Sequence, residues 1–216
     1  MRRHIVCLGD SNTYGYTPEG PPFRFSEEER WPCLLQQALG KGCLVLEEGL
    51  PGRTTVFEDP VEEGMSALPY LYPCLKSHAP VDLLVVMLGT NDTKERLGAN
   101  ACAIGKGLSR LVRRAQSIDC WHPERGPRIL IVAPPVLGRE VERSPVAQEM
   151  GAGCVEKSLR LPGQFRAAAK ELGCFFLDAN QLGLEQNQVD YMHLTRESHH
   201  RLAQRLAELV PTLLEG

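Results

Sequence analysis

The sequence predicts an α/β protein built on one doubly wound parallel sheet. Apolar runs of strand length alternate with helical patterns five times along the chain. The clearest run, over residues 82–88, is unbroken after its opening aspartate, as expected of a strand covered on both faces. No internal repeat, low-complexity tract or charge run marks a linker, so the 216 residues are expected to form a single domain. A domain near this length buries roughly 70% of the surface its unfolded chain exposes and needs no metal or disulfide staple.

Taken in order, residues 4–8 form the first strand and run straight into Gly9-Asp10-Ser11-Asn12-Thr13-Tyr14-Gly15-Tyr16. Residues 17–25, rich in proline and glycine, read as an ordered surface loop. Ser26 followed by Glu27, Glu28 and Glu29 predicts a helix start, with serine as cap and acids at the positive end of the dipole. Trp31, Leu34, Leu35, Ala38 and Leu39 supply its inward stripe, and Gly40 stops it. Residues 43–47 are the second strand, and 48–55 are rich in turn formers. Residues 70–78 predict a short helix that contains Pro73.

The strand over 82–88 delivers Gly89-Thr90-Asn91-Asp92. Ile104, Leu108, Leu111, Val112, Ala115 and Ile118 then share one helical face within residues 99–118, leaving Arg110, Arg113 and Arg114 on the solvated side. Residues 128–132 form the fourth strand. Residues 134–153 read as a long loop, of the kind that serves as a lid or wall. A helix is expected over 165–172 or from further upstream, with Pro162 in its first turn or at a kink, and the fifth strand over 174–177. The last helix begins near Thr195, a suitable cap, and keeps Leu202, Leu206, Leu209 and Leu213 on one side.

Composition is that of an ordinary globular protein, 43% hydrophobic and 24% charged. A net charge of −3 gives no reason to expect nucleic acid or an anionic membrane as partner. The eight cysteines, at 7, 33, 43, 74, 102, 120, 154 and 174, contain no Cys-x-x-Cys pair. Several lie within apolar runs, where cysteine acts as a small hydrophobe. The apolar run after Met1-Arg2-Arg3 is too short for a signal peptide or a membrane span. A reduced, cytoplasmic protein with free thiols is the expectation.

If the strands are parallel, four loops meet at one edge of the sheet, where open α/β folds bind ligands. They bring Ser11, the Pro51-Gly52 turn, Asn91 and the segment 189–193. Each has a plain reading as a turn, a helix cap or a local hydrogen bond. Each also has a chemical one. The Asp190 carboxylate can reach Nδ1–H of His193 three residues on, leaving Nε2 to face a hydroxyl, which is what a serine nucleophile needs. The Asn91 amide and the Gly52 N–H are donors suited to a developing oxyanion.

These four blocks, in this order, resemble the SGNH (GDSL-type) hydrolase family, and most closely its small bacterial arylesterase/acyltransferase branch. The closer match rests on Glu48-Gly49-Leu50 running into Arg53-Thr54-Thr55, on Arg30-Trp31, on Asp59-Pro60, and on Met87-Leu88-Gly89-Thr90-Asn91-Asp92-Thr93-Lys94. The resemblance spans residues 1–216 and implies a three-layer, flavodoxin-like fold with a five-stranded parallel sheet. It implies Ser11 as nucleophile, His193 as general base and acid, and Asp190 as its orienting carboxylate. The oxyanion hole would comprise the Ser11 and Gly52 backbone N–H groups and the Asn91 side chain. No metal or organic cofactor is implied.

Asp10 and Asp92 belong to the same blocks and are expected to support the loops as short acceptors, each hydrogen-bonded if buried. Tyr14 and Tyr16 stand where the branch often carries tryptophan, which makes them candidates for shaping the acyl pocket. Gly52 is the general family residue at a position where some arylesterase-like members carry another small one. His4, His78, His122, His199 and His200 are read as structural, His199 through packing. Residues 120–125 and 134–153 match no functional block and are candidates for an entrance or an oligomer contact.

The expected activity is that of a serine esterase acting on small-molecule carboxylic esters with short acyl chains through an acyl-enzyme, with homo-oligomerisation left open. Acyl transfer to alcohols and carbohydrate deacetylation use the same parts. Two rivals come from other classes. One is a metal-dependent phosphohydrolase site made of Asp10, Asp92, Asp190 and His193. The other is a non-enzymatic flavodoxin-like binding module.

Overall fold

The computed structural model describes residues 2–215 and contains all five expected strands. They are β1 (Arg3–Gly9), β2 (Cys43–Gly49), β3 (Leu83–Met87), β4 (Ile129–Ala133) and β5 (Phe175–Asp178). All pair in parallel, in the order β2-β1-β3-β4-β5. The chain thus steps one way from β1 to β2 and then the other way to β3. This reversal opens a crevice beyond the carboxyl ends of β1 and β3, where doubly wound sheets take their ligands.

Side chains alternate across the sheet with the period of two that strands impose. Ile5, Cys7, Leu83, Val85, Met87, Leu130 and Val132 face one core, closed by α2 (Trp31–Leu39) and α7 (Arg196–Glu215). Val6, Leu8, Leu84, Val86, Ile129, Ile131 and Ala133 face the other. That core is closed by α3 (Ala67–Ser77), α4 (Ala101–Gln116) and α6 (Cys154–Leu172). Each fully buried Leu, Ile, Val or Phe contributes about 1.5–3 kcal/mol, so the two apolar faces of β1 and β3 are what hold the layers together. Arg110, Arg113 and Arg114 of α4 are exposed, as their place on its polar side requires.

Several boundaries differ from the sequence reading. Helix α2 starts at Trp31 rather than Ser26, because Pro32 in its first turn has no N–H to give to the preceding turn. Ser26 and Glu29 form a separate turn instead: the Ser26 N–H donates to Glu29 Oε2 at 2.9 Å and the Arg30 N–H to the Ser26 carbonyl at 3.1 Å. Ala38 is exposed rather than inward. Helix α3 begins at Ala67 and carries Pro73 within it, and α6 begins at Cys154 with Pro162 in its interior. Residues 134–153 are not a bare loop. They hold a 3₁₀ stretch (Arg139–Arg143) and the single-turn helix α5 (Ala147–Met150). Leu137, Val141, Met150, Cys154, Val155 and Met192 form a small core of their own beneath them.

The Arg30-Trp31 pair fastens α2. Arg30 makes a two-pronged pair with Glu47 of β2, Nε to Oε2 at 2.7 Å and Nη2 to Oε1 at 3.0 Å, while Trp31 is buried and its backbone N–H donates to His199 Nδ1 at 3.3 Å. His199 is fully buried, and burial drives its pKa down to about 3. Among the described residues no helix is long and apolar enough to cross a membrane.

Because the folded pKa of His199 lies below the unfolded value, the unfolded chain takes up the proton first, and this stability is lost as pH falls below about 6.5. A His199→Phe variant removes the acceptor for the Trp31 N–H and is expected to be about 1–3 kcal/mol less stable near neutrality. Denaturant unfolding of both proteins should show that gap closing by about 1.4 kcal/mol for each pH unit below about 6.5. Opposing carboxylate contributions cancel in the difference. A gap independent of pH would contradict a neutral buried imidazole.

Candidate active site

Beyond Gly9 the chain makes one helical turn, α1 (Ser11–Tyr14), with Asp10 as its cap: Oδ1 accepts the Asn12 N–H at 3.0 Å. Ser11 is the first residue of this turn, so its N–H has no intrahelical partner. The turn lies directly on the end of β2. A Cβ at Gly49 would collide with the backbone of Tyr14, and only glycine permits that approach.

The segment before α7 is organised by Asn187. Its Oδ1 accepts the N–H groups of Val189 and Asp190, each at 2.9 Å, and its Nδ2 donates to Asp190 Oδ1 and the His193 carbonyl, each at 2.9 Å. Tyr191 adopts a left-handed conformation, φ 56°, in the turn that brings Asp190 and His193 face to face. Asp190 Oδ1 also accepts the N–H groups of Met192 and His193, each at 3.0 Å, and Oδ2 lies 2.6 Å from His193 Nδ1. Burial alone would raise the Asp190 pKa. The hydrogen bond and charge of His193, with the two N–H groups, outweigh it and hold the carboxyl below its usual range.

An ionised carboxylate only accepts, so Nδ1 carries a hydrogen, and Nε2 lies 2.8 Å from Ser11 Oγ, where the neutral imidazole would accept the hydroxyl hydrogen. All three residues are nearly enclosed, with 6% of Ser11, 4% of His193 and 1% of Asp190 exposed. The ring of Tyr16 covers the imidazole, centroid to centroid 4.5 Å. Asn12 locks the two loops together: its Oδ1 accepts the Leu194 N–H at 2.9 Å and its Nδ2 donates to the Met192 carbonyl at 3.4 Å.

Across the crevice, Leu50-Pro51-Gly52-Arg53 form a turn closed by the Arg53 N–H on the Leu50 carbonyl at 3.1 Å. Gly52, φ 85°, occupies the position that favours glycine after proline, and the turn makes no use of its N–H. Asn91, at the start of a 3₁₀ stretch (Asn91–Thr93), donates Nδ2 to the Arg53 carbonyl at 3.1 Å. Asp92 reaches across to Thr55, accepting its N–H at 3.0 and 3.1 Å and its hydroxyl. The carboxylate therefore supports the neighbouring loop rather than its own. Burial pushes the carboxyls of Asp10 and Asp92 up to about 6. Asp10 departs from full satisfaction, since its Oδ2 has no partner among the described residues.

Ser11, Gly52, Asn91 and His193 all line one cavity of about 290 Å³. Tyr16, Pro51, Glu62, Lys94 and Met192 complete it together with Val146, Glu149 and Met150 from the 134–153 segment. Tyr14 does not line it. Its ring packs under Arg24, 4.0 Å from Cζ, and its carbonyl accepts Arg24 Nε at 2.9 Å. Residues 120–125 also lie elsewhere: Trp121 pairs with Val81, and Arg125 with Asp82 at 2.5 Å, beside the amino end of β3.

Sequence reasoning singled out neither Asn12 nor Asn187, nor the ion cluster at the cavity wall. There Arg96 pairs doubly with Asp59, Nε to Oδ1 at 2.9 Å and Nη2 to Oδ2 at 2.7 Å, and its hydrogen bonds lower the Asp59 pKa to about 2. Glu149 of α5 bonds Lys94 at 2.8 Å and Arg96 at 2.5 Å, tethering α5 to the segment after β3. The Asp59-Pro60 and Thr93-Lys94 motifs were the signal, but nothing local says that they meet. The donors proposed for a metal, Asp10, Asp92, Asp190 and His193, do not converge. Among the described residues such atoms gather only at Glu48, Cys74 and His78, where Tyr70 at 2.5 Å and His78 at 2.6 Å already occupy the Glu48 carboxylate.

A doubly wound sheet with a hydroxyl, imidazole and carboxylate in series at its switch point is the framework of a serine-type α/β hydrolase. The model of the GDSL-like lipase/acylhydrolase family matches residues 7–201, and the chain belongs to that family. Among solved structures it is similar to the native aryl esterase of M. smegmatis, at 35% identity and a TM-score of 0.89, covering 98% of this chain and 100% of that one. It is likewise similar to a carbohydrate acetylesterase family member from Sinorhizobium meliloti, at 37% identity and a TM-score of 0.87, covering 99% and 100%. Comparison with curated proteins gave no significant match. The chain is a carboxylic ester hydrolase with the SGNH-hydrolase fold.

Replacing Asn12 by alanine removes the side chain that holds residues 192–194 against α1. Steady-state assay of Asn12→Ala is expected to show kcat lowered by about 10²-fold, the scale of a small misplacement of reacting groups. Its circular dichroism should match that of the parent protein. Unchanged kcat would show that Asp190 and Asn187 suffice to place His193.

Proposed function

We propose that this protein hydrolyses small aryl or short-chain acyl esters through an acyl-enzyme on Ser11. The observation that carries the reading is the continuous Asp190–His193–Ser11 hydrogen-bond series, opening onto a cavity that also presents Gly52 and Asn91. His193 Nε2 takes the hydroxyl proton as Ser11 Oγ attacks the ester carbonyl carbon, and Asp190 stabilises the imidazolium. The carbonyl oxygen becomes an oxyanion held by the Ser11 and Gly52 N–H groups and the second Asn91 Nδ2 hydrogen, the first being on Arg53. One such donor is worth about 10²–10³ in kcat.

His193 then gives its proton to the departing alkoxide or phenolate. Water attacks the acyl-enzyme with His193 as base, releasing the acid and restoring Ser11. No step requires a metal ion or organic cofactor. An alcohol in place of water yields a new ester, so acyl transfer shares the intermediate, and adding an alcohol to the assay reads the partition. Val146, Met150 and Met192 are apolar side chains of the cavity lining, and we assign the acyl chain to them. The aryl esterase and carbohydrate acetylesterase neighbours act on esters of this class by name.

Treatment with an organophosphonate should place its adduct on Ser11 by mass spectrometry, and Ser11→Ala should lower kcat by about 10⁴-fold or more. An adduct elsewhere, or retained activity in the variant, would overturn the assignment. Met150→Ala should enlarge the acyl end: the kcat/KM ratio of a hexanoyl to an acetyl aryl ester is expected to rise by about tenfold or more, the scale for a gain of room for methylenes.

A further inference from the structure

Arg53 lies where the loops of Ser11, Gly52 and Asn91 are tied together, and it does not line the cavity. Only 5% of it is exposed. Its Nη1 donates to the Gly9 carbonyl at 3.0 Å, two residues before Ser11, and to the Glu48 carbonyl near the end of β2. Its own carbonyl takes the Asn91 amide at 3.1 Å, and its N–H closes the turn that presents Gly52. Two residues on, Thr55 is held by Asp92. The loops of Ser11, Gly52 and Asn91 thus all hang on this one short stretch.

The surroundings hold the guanidinium rather than merely accommodate it. The Tyr70 ring lies 4.7 Å from its Cζ, and the Tyr70 hydroxyl is fixed by Glu48 Oε2 at 2.5 Å, whose other oxygen bonds His78 at 2.6 Å. A charge is costly to keep in an interior, and burial pushes the Arg53 pKa down. Arginine offers what an apolar residue cannot, a rigid planar group whose Nη1 holds the Gly9 and Glu48 carbonyls together, while its Nε has no partner among the described residues.

We propose that Arg53 is a positioning residue of the ester-hydrolase site: its guanidinium sets the spacing between the Ser11 strand end and the Gly52–Asn91 side of the hole. The donors then fit the tetrahedral oxyanion better than the planar ester carbonyl. The effect falls on the transition state and leaves substrate binding alone. This rests on the Ser11 reading given above.

The test compares Arg53→Lys, Arg53→Met and Tyr70→Leu with the parent on an aryl acetate. Two further readouts are the affinity for a trifluoromethyl ketone, which adds to serine and places an oxyanion in the hole, and for the product phenol, which does not. In the Arg53 variants, kcat and ketone affinity should fall together by about 10- to 100-fold, while KM and phenol affinity move by no more than about twofold. Tyr70→Leu, which removes the aromatic face beneath the guanidinium, should show the same split at about threefold.

Unchanged ketone affinity in Arg53→Lys would overturn the proposal. So would equal loss of ketone and phenol binding that tracks the folded fraction, which is what a purely structural brace would give. If the Arg53 variants do not fold, unchanged ketone affinity in Tyr70→Leu overturns it. Ser11→Ala separates the two readings. An active Ser11→Ala sinks the underlying assignment, whereas an inactive one beside a fully active Arg53→Lys sinks this proposal alone.

Discussion

The reversal of strand order at β1 is the constraint on which the site depends. Parallel strands end at the same edge, and where neighbouring connections leave to opposite sides that edge parts into a crevice. The loop after β1 carries Ser11, the one after β2 carries Gly52 and the one after β3 carries Asn91. The apolar alternation of β1 and β3 fixes which way these strand ends face, because both faces are buried and a one-residue slip would turn core side chains into the wrong layer.

Around the crevice the protein keeps an unusual density of buried polar groups. Asp10, Ser11, Asn12, Arg53, Asp92, Asn187, Asp190 and His193 are all nearly inaccessible. Such groups are tolerable when paired, and most here are paired twice or more. Asp190 accepts from four groups of three residues, and Asn187 uses both ends of its amide. The carboxyls of Asp10 and Asp92 are less well compensated, and burial raises both. That cost falls next to Ser11 and Asn91, in a dry interior where each polar contact is stronger than in water.

The cavity wall follows a different logic. Residues 134–153 carry their own small core and are joined to the rest through Glu149 with Lys94 and Arg96, and through the Ala152 N–H on Glu95 Oε2 at 2.9 Å. Sequence reading took this segment as a bare loop, since its helical pieces span one turn each and are too short for periodicity to register. Pro32 had a similar effect in reverse: the acidic run over 27–29 looked like a first helical turn, and the missing proline N–H moved the start to Trp31.

From the sequence alone came the alternation of strands and helices, the parallel sheet, and Ser11, Gly52, Asn91, Asp190 and His193 as candidates for the site. Those are local properties: hydrophobic period, turn-forming residues after a strand, and an Asp and a His three positions apart. Tertiary structure alone decided how these residues meet. Asn12 and Leu194 pair across a separation of 182 residues, Thr55 and Asp92 across 37, and Arg96 and Glu149 across 53. It also turned Tyr16 onto His193 and Tyr14 away beneath Arg24, although two tyrosines two positions apart carry the same signal in the sequence. Which face each side chain takes is set by the packing of the loops that flank it, and no spacing along the chain encodes that.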